Sequence, residues 1–286
     1  MIKIDNVVLA SPEQMEFIIQ GMRNPMNSWE KSDTNIDPDL YSLENIELGE
    51  NDRSLMQRLS NAGTEHRKYM RMMPVYVRIT AGHTWWAEFD TYKIGTVRNS
   101  CSKMHKIHVM GFETDSFDHE GIDEVGGIVV ETFDKVRETL TWLAKMFNKT
   151  KEKKYWRAII ELLPLGFHLT ANVMLNYEVL ANMYRQRKNH KLDEWREFCS
   201  WIRTLPYSEL ITGLPIGPDR SIIEKRFSQS WINENDTWCD KCGYFYDCLN
   251  NGGLANVTTS DDITKNSFEG QHYINKPGYD CPMEGK

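Results

Sequence analysis

The segment His83-Thr84-Trp85-Trp86-Ala87-Glu88-Phe89-Asp90-Thr91-Tyr92-Lys93 mixes an imidazole, two carboxylates and an amine with four aromatic rings. Neither a plain surface nor a plain core needs that mixture. His83 can touch an anion or a ring system, or serve as a structural hydrogen-bonding group. Trp85 and Trp86 can stack on a flat heterocycle or fill a core. Glu88 and Asp90 can accept a ring N–H or cap a turn. A second group, Arg185, Arg187, Lys188, His190, Lys191 and Arg196, gathers cations within a dozen residues. Arginine's planar fork suits phosphate, and the same cations could simply complement the C-terminal end of a helix.

The elements that must hold these groups follow from periodicity and breakers. Asn176, Leu180, Met183 and Arg187 stand at i, i+4, i+7 and i+11, which predicts one face of a helix over 170–187. A rise of 1.5 Å per residue then separates Asn176 from Arg187 by roughly 16 Å, enough to serve two parts of a nucleotide-sized ligand. A buried Asn176 would need a hydrogen-bond partner. Pro74–Thr80 is rich in β-branched residues and predicts a strand leading to His83, and 7–10 predicts a shorter one. Ser11-Pro12-Glu13-Gln14 marks a helix start, with Met15, Ile18, Ile19 and Met22 in helical register to residue 22. Helices are also predicted over 52–71, 128–147, 152–163 (before Pro164) and 193–203. The stretch 24–51 is expected to be loop.

Residues 163–196 carry a resemblance. Leu163-Pro164, then Asn176, then Arg187 eleven residues later, then His190, Glu194 and Arg196, resemble the flavin-dependent thymidylate synthases (ThyX family). Pro74-Val75-Tyr76-Val77-Arg78 resembles the strand before that family's Arg-His-Arg signature, of which Gly82-His83-Thr84 keeps the histidine. Glu178 stands where the family's Asn-Ala-Arg element has arginine. Thr91, Tyr92, Arg98, Ser100 and Ser102 lie near the expected Ser-x-Arg-Tyr element without a clean match.

The resemblance covers roughly 60–215 and implies an α+β fold with helices on a modest mixed or antiparallel sheet. It implies methylation of dUMP to dTMP with FAD, with methylenetetrahydrofolate and NADPH as co-substrates. His83, Asn176 and Arg78 would face the flavin, and Arg187, Arg185 and Glu88 the nucleotide. No protein nucleophile is required, because the cofactor carries the difficult steps. A homotetramer is implied as well. The alternatives are a diverged relative binding a pyrimidine nucleotide or flavin for another uracil modification, and a non-catalytic interaction protein that keeps the fold.

Composition bounds the partners. With 34 Lys+Arg against 41 Asp+Glu the 286-residue chain carries −7, which argues against a nucleic-acid coat. No apolar run approaches the ~20 residues of a membrane span, and the first residues lack a signal-peptide core, so a cytoplasmic protein is expected. Residues 1–215 are expected to form the catalytic domain. The loop-rich 216–286 are expected to be an extension packed on it. Cys239, Cys242, Cys248 and Cys281 could hold zinc, with free thiols as the alternative and no metal site expected elsewhere.

Overall fold

The computed structural model describes residues 2–36 and 46–213, together with Thr237–Trp238 and Phe245–Tyr246, which pair antiparallel. The four cysteines weighed for zinc lie outside the described residues. Among the described residues no cluster of metal-ligating side chains occurs, and Cys101 and Cys199 are free thiols.

The strands are β1 (Lys3–Leu9), β2 (Pro74–Gly82), β3 (Val97–Ser100) and β4 (His168–Asn176). They form an antiparallel sheet in the order β1-β2-β4-β3. In β2, Val75, Val77, Ile79 and Ala81 are buried while Tyr76 and Arg78 are exposed. In β4, Leu169, Ala171, Val173 and Leu175 are buried while Asn172 and Met174 are exposed. Val77 stands opposite Val173, and Arg78 opposite Asn172. Directly opposed residues share a face, so two apolar rows coincide and one side of the sheet becomes the core side.

Eleven helices surround or extend from the sheet among the described residues: α1 (Pro12–Arg23), α2 (Glu50–Asn61), α3 (Lys68–Arg71), α4 (His83–Phe89), α5 (Lys103–Lys106), α6 (Glu120–Val125), α7 (Ile128–Thr150), α8 (Lys153–Leu162), α9 (Tyr177–Arg187), α10 (Asp193–Ile202) and α11 (Glu209–Thr212). The fold is α+β, as expected. The start of α1 is local chemistry: Ser11 Oγ accepts from Gln14 N–H, and Gln14 Oε1 accepts from Ser11 N–H. Among the described residues, no helix is long and apolar enough to cross a membrane.

Three expectations change. The helix foreseen over 170–187 is strand β4 followed by α9, because Leu169 to Leu175 alternates with period two and the ladder to β2 uses it. Asn176 is therefore the N-cap of α9 rather than a residue on its face. The helix foreseen over 52–71 is two helices, broken past Ala62 where Gly63 takes φ +123°, a conformation closed to L side chains in a helix. The stretch 24–36 holds two short 3₁₀ turns, Asn24–Met26 and Trp29–Lys31. It is pinned by Asp52. Asp52 Oδ1 accepts from Arg23 Nε at 2.6 Å, and Oδ2 accepts from Ser32 Oγ at 2.8 Å and Thr34 Oγ1 at 2.7 Å.

Candidate functional site

Strand β2 delivers His83 directly into the first turn of α4, where its backbone N–H donates to Leu165 O at 2.8 Å. Trp85, Trp86 and Phe89 of α4 point into the core, each 1–2% exposed. Trp85 stacks on Phe89 at 5.1 Å and meets Trp195 of α10 at 4.9 Å. Trp86 donates its indole N–H to Leu169 O at 3.0 Å. The core reading of the two tryptophans is the one that their burial supports.

Beside α4 lies a cavity of about 420 Å³ lined by His83, Asp90, Arg98, Ser100, Cys101 and Lys103 among others. Three elements converge on it. Arg98 stands opposite Val173 in the β3–β4 ladder, so it lies on the core side of the sheet. Its guanidinium covers the Trp86 ring at 4.7 Å and pairs with Asp90 at 3.2 Å. Lys103 begins α5, and its Nζ is 2.6 Å from His83 Nε2. Burial, and then the nearby Lys103 and Arg98 charges, hold the His83 imidazole below its usual range. Burial likewise lowers the Lys103 amine. An imidazole, an amine and a guanidinium around one cavity can receive an anion.

Glu88 and Arg187 meet at a different place, neither of them lining this cavity. Glu88 Oε2 accepts from Arg187 Nη1 at 2.6 Å and from Trp195 Nε1 at 2.8 Å. Arg187 Nε donates to Tyr92 Oη at 2.9 Å, which in turn donates to Gln186 Oε1 at 2.8 Å. The guanidinium also lies 4.9 Å from the Trp195 ring and 5.6 Å from the Tyr92 ring. His190 Nδ1 accepts from Leu192 N–H at 3.2 Å, and its Nε2 lies 2.9 Å from Arg187 Nη1 and 3.3 Å from Glu88 Oε2. Arg187 and Glu88 are thus each other's partners within the chain.

The remaining expected site residues are dispersed. Asn176 Oδ1 accepts from Val179 N–H at 3.0 Å and caps α9. Arg78 lies on the open face of the sheet, donating to Asn172 Oδ1 at 3.2 Å, opposite to the side that holds His83's cavity. Arg185 is exposed and donates to Asn182 Oδ1 at 2.7 Å. Arg196 Nη1 ties down the His190 and Lys191 carbonyls. Glu178, where the resemblance would have arginine, is 7% exposed and pairs with Arg71.

The sequence announces neither Lys103 nor the position of Arg98. A four-residue polar strand has no hydrophobic alternation to announce it. The nearest sequence signal for Lys103 was Ser102, whose hydroxyl accepts from His105 N–H at 3.3 Å at the start of α5.

No protein-family model matches the chain, and no curated protein matches it. Solved structures do. A crystal structure of Thymidylate Synthase X (ThyX) from Helicobacter pylori with FAD and dUMP aligns at TM-score 0.52 and 14% identity, over 73% of this chain and 96% of that one. Another structure of the flavin-dependent thymidylate synthase ThyX from Helicobacter pylori, complexed with FAD and dUMP, aligns at TM-score 0.49 and 14% identity, over 73% and 95%. At that identity the likeness is one of fold: the chain has a ThyX-like fold.

Proposed function

We propose that the protein binds a pyrimidine nucleotide, dUMP being the first candidate, and seats its phosphate between His83, Arg98 and Lys103. One observation carries this reading. Side chains of three basic residue types, from α4, β3 and α5, converge on a cavity of about 420 Å³ in a chain whose net charge is −7. That volume falls within the range of small-ligand clefts. Arg98, stacked on Trp86 and paired through Nη2 with Asp90 at 3.2 Å, would turn the remaining edge of its fork to a phosphate oxygen. Ser100 adds a hydroxyl to the cavity lining.

The ThyX-like fold and the resemblance over 163–196 supply the finer reading, FAD-dependent methylation of dUMP with methylenetetrahydrofolate and NADPH. When bound, FAD would carry the methylene and hydride chemistry of that reaction. The residues of a single chain fit this cofactor only in part. A phosphate suits the cavity. The isoalloxazine ring needs an open flat face, whereas Trp85 is closed in the core and Trp86, at the cavity wall, is covered by the Arg98 guanidinium. Arg187, expected to face the nucleotide, has its fork occupied by Glu88 and Tyr92. The implied homotetramer would have to bring a ring seat from another chain. The occupied Arg187 and closed tryptophans favour a second reading, a diverged nucleotide-binding relative with a different uracil chemistry.

Calorimetric titration with dUMP tests the proposal. Saturable binding that Arg98→Ala weakens by about tenfold or more, the scale of a lost charge-assisted contact, supports it. A folded protein that takes up no dUMP sinks it. If dUMP binds, release of tritium from C5-labelled dUMP in the presence of FAD, NADPH and methylenetetrahydrofolate supports the synthase. Binding without release leaves the diverged relative.

A further inference from the structure

Lys103 Nζ and His83 Nε2 are 2.6 Å apart at the cavity wall. That separation is a hydrogen bond, and a hydrogen bond needs an acceptor. An ammonium has donors only, and so does an imidazolium. Two fully protonated partners cannot make this contact, so the pair holds one basic proton fewer than its two groups could carry. Either the ammonium donates to a neutral imidazole or the imidazolium donates to a neutral amine.

Their surroundings explain why. The cavity's other charged or ionisable groups are Arg98 and Cys101 from the β3 side and Asp90 at the end of α4. Asp90 is engaged with Arg98 at 3.2 Å, so its charge is largely spent on that guanidinium. Burial disfavours a second proton on the Lys103–His83 pair, and at His83 the repulsion from Lys103 adds to it. Cys101 acts in the opposite direction on Lys103, and more weakly than burial. With Arg98 and Asp90 cancelling, the cavity holds about one net positive charge when the pair shares a single proton, and two when a second arrives.

We infer that the Lys103–His83 pair makes this cavity selective for a phosphate monoester dianion, which it binds with uptake of one proton. The inference rests on the nucleotide reading above for the position of the phosphate. A monoester brings two negative charges and separates the pair, each member then turning its own N–H toward phosphate oxygen. A phosphodiester brings one charge, which a singly protonated pair already matches, and it lacks the oxygen that the second donor would meet. The cavity would therefore favour a mononucleotide over a nucleotide esterified through its phosphate. The proton comes from solvent and no covalent bond is formed or broken.

Calorimetry of the whole protein tests this in two buffers of different ionisation enthalpy at about pH 8, where a phosphate with a second pKa near 6 is already a dianion. The probes are dUMP, its 5′-methyl phosphodiester and inorganic phosphate. Expected are uptake of about one proton per dUMP or phosphate bound, and roughly tenfold or weaker binding of the diester, the scale of one charge-assisted hydrogen bond. Lys103→Met should still bind, more weakly, with uptake reduced and discrimination against the diester lost. Binding of dUMP with no buffer-dependent heat overturns the inference and leaves the nucleotide reading standing. Phosphate bound with proton uptake while dUMP is refused overturns the nucleotide reading and leaves the pair's role standing. Equal affinity for dUMP and its methyl diester overturns the selectivity.

Discussion

Arg187 Nη1 donates to Glu88 Oε2 at 2.6 Å, and the two side chains are 19% and 31% exposed. This ion pair bolts the end of α9 to α4 across 99 residues of chain. With Trp195 Nε1 on the same carboxylate oxygen, it joins α10 to the arrangement. The polar cluster therefore frames the helix that begins with His83, while the cavity beside His83 faces elsewhere.

Truncating one member of that pair should destabilise the fold. Arg187→Ala leaves Glu88 with a partly buried carboxylate, and about 1–3 kcal/mol of stability is expected to be lost. A double-mutant cycle with Glu88→Gln should give a coupling of about 1–2 kcal/mol in urea denaturation. A stable Arg187→Ala protein with dUMP affinity lost would return Arg187 to the nucleotide.

Asn176 offers a sharper distinction, because its cap can be preserved while its amide is removed. Its Oδ1 accepts from Val179 N–H at 3.0 Å. Its Nδ2 lies against Gly95, where an added Cβ would come within 2.9 Å of it and φ is +82°. Asn176→Ala should cost about 1 kcal/mol, and Asn176→Ser only a few tenths, since serine caps nearly as well. Thermal melts read this directly. Unchanged stability in both variants, with flavin uptake lost in both, would assign Asn176 to a cofactor instead.

What the sequence disclosed follows from the range of each interaction. Helix α1 was legible to within a residue, because Ser11, Pro12 and Gln14 settle its start among themselves. Strand β2 was legible through its β-branched run. Strand β4 was not, although Leu169, Ala171, Val173 and Leu175 alternate. The helical spacing from Asn176 onward invites extending α9 backwards, and only pairing with β2, 86 to 102 residues away, decides between the two periods. His83 stands out in the sequence through its signature position. Its partners Arg98 and Lys103 were not placed, because β3 is four residues long and its position comes from its ladder to β4. Arg187 was located, but its carboxylate partner sits 99 residues away, so its engagement was invisible in one dimension.

Acid should loosen the clamp between α1 and α2. Burial alone would raise the Asp52 pKa, but hydrogen bonds from Thr34, Ser32 and Arg23 outweigh it and hold the carboxyl below its usual 3.8. A lowered carboxylate pKa contributes stability that is full above the unfolded value and lost as pH falls through the folded one. Stability should therefore decline below about pH 4, and Asp52→Asn should remove this part of the decline while costing about 3 kcal/mol at neutral pH. Urea midpoints across pH measure both. An unaltered acid limb in Asp52→Asn would show that other carboxylates set it.

The final expectation concerns His83 itself, in the protein without ligand. Burial is the largest cause of its lowered pKa, followed by the Lys103 and Arg98 charges. Nitrogen-15 imidazole shifts should show His83 titrating below the usual 6.5. A histidine with a lowered folded pKa favours the neutral ring, so its share of stability is full above about 6.5 and is lost as pH falls toward the folded value. Lys103→Met removes a charge and a hydrogen-bond partner but leaves the ring buried. The His83 pKa should then rise toward 6.5 without passing it, because desolvation and Arg98 persist. A pKa that stays where it was in Lys103→Met would mean that the two groups do not share a proton, and the contact between them would be one of packing alone.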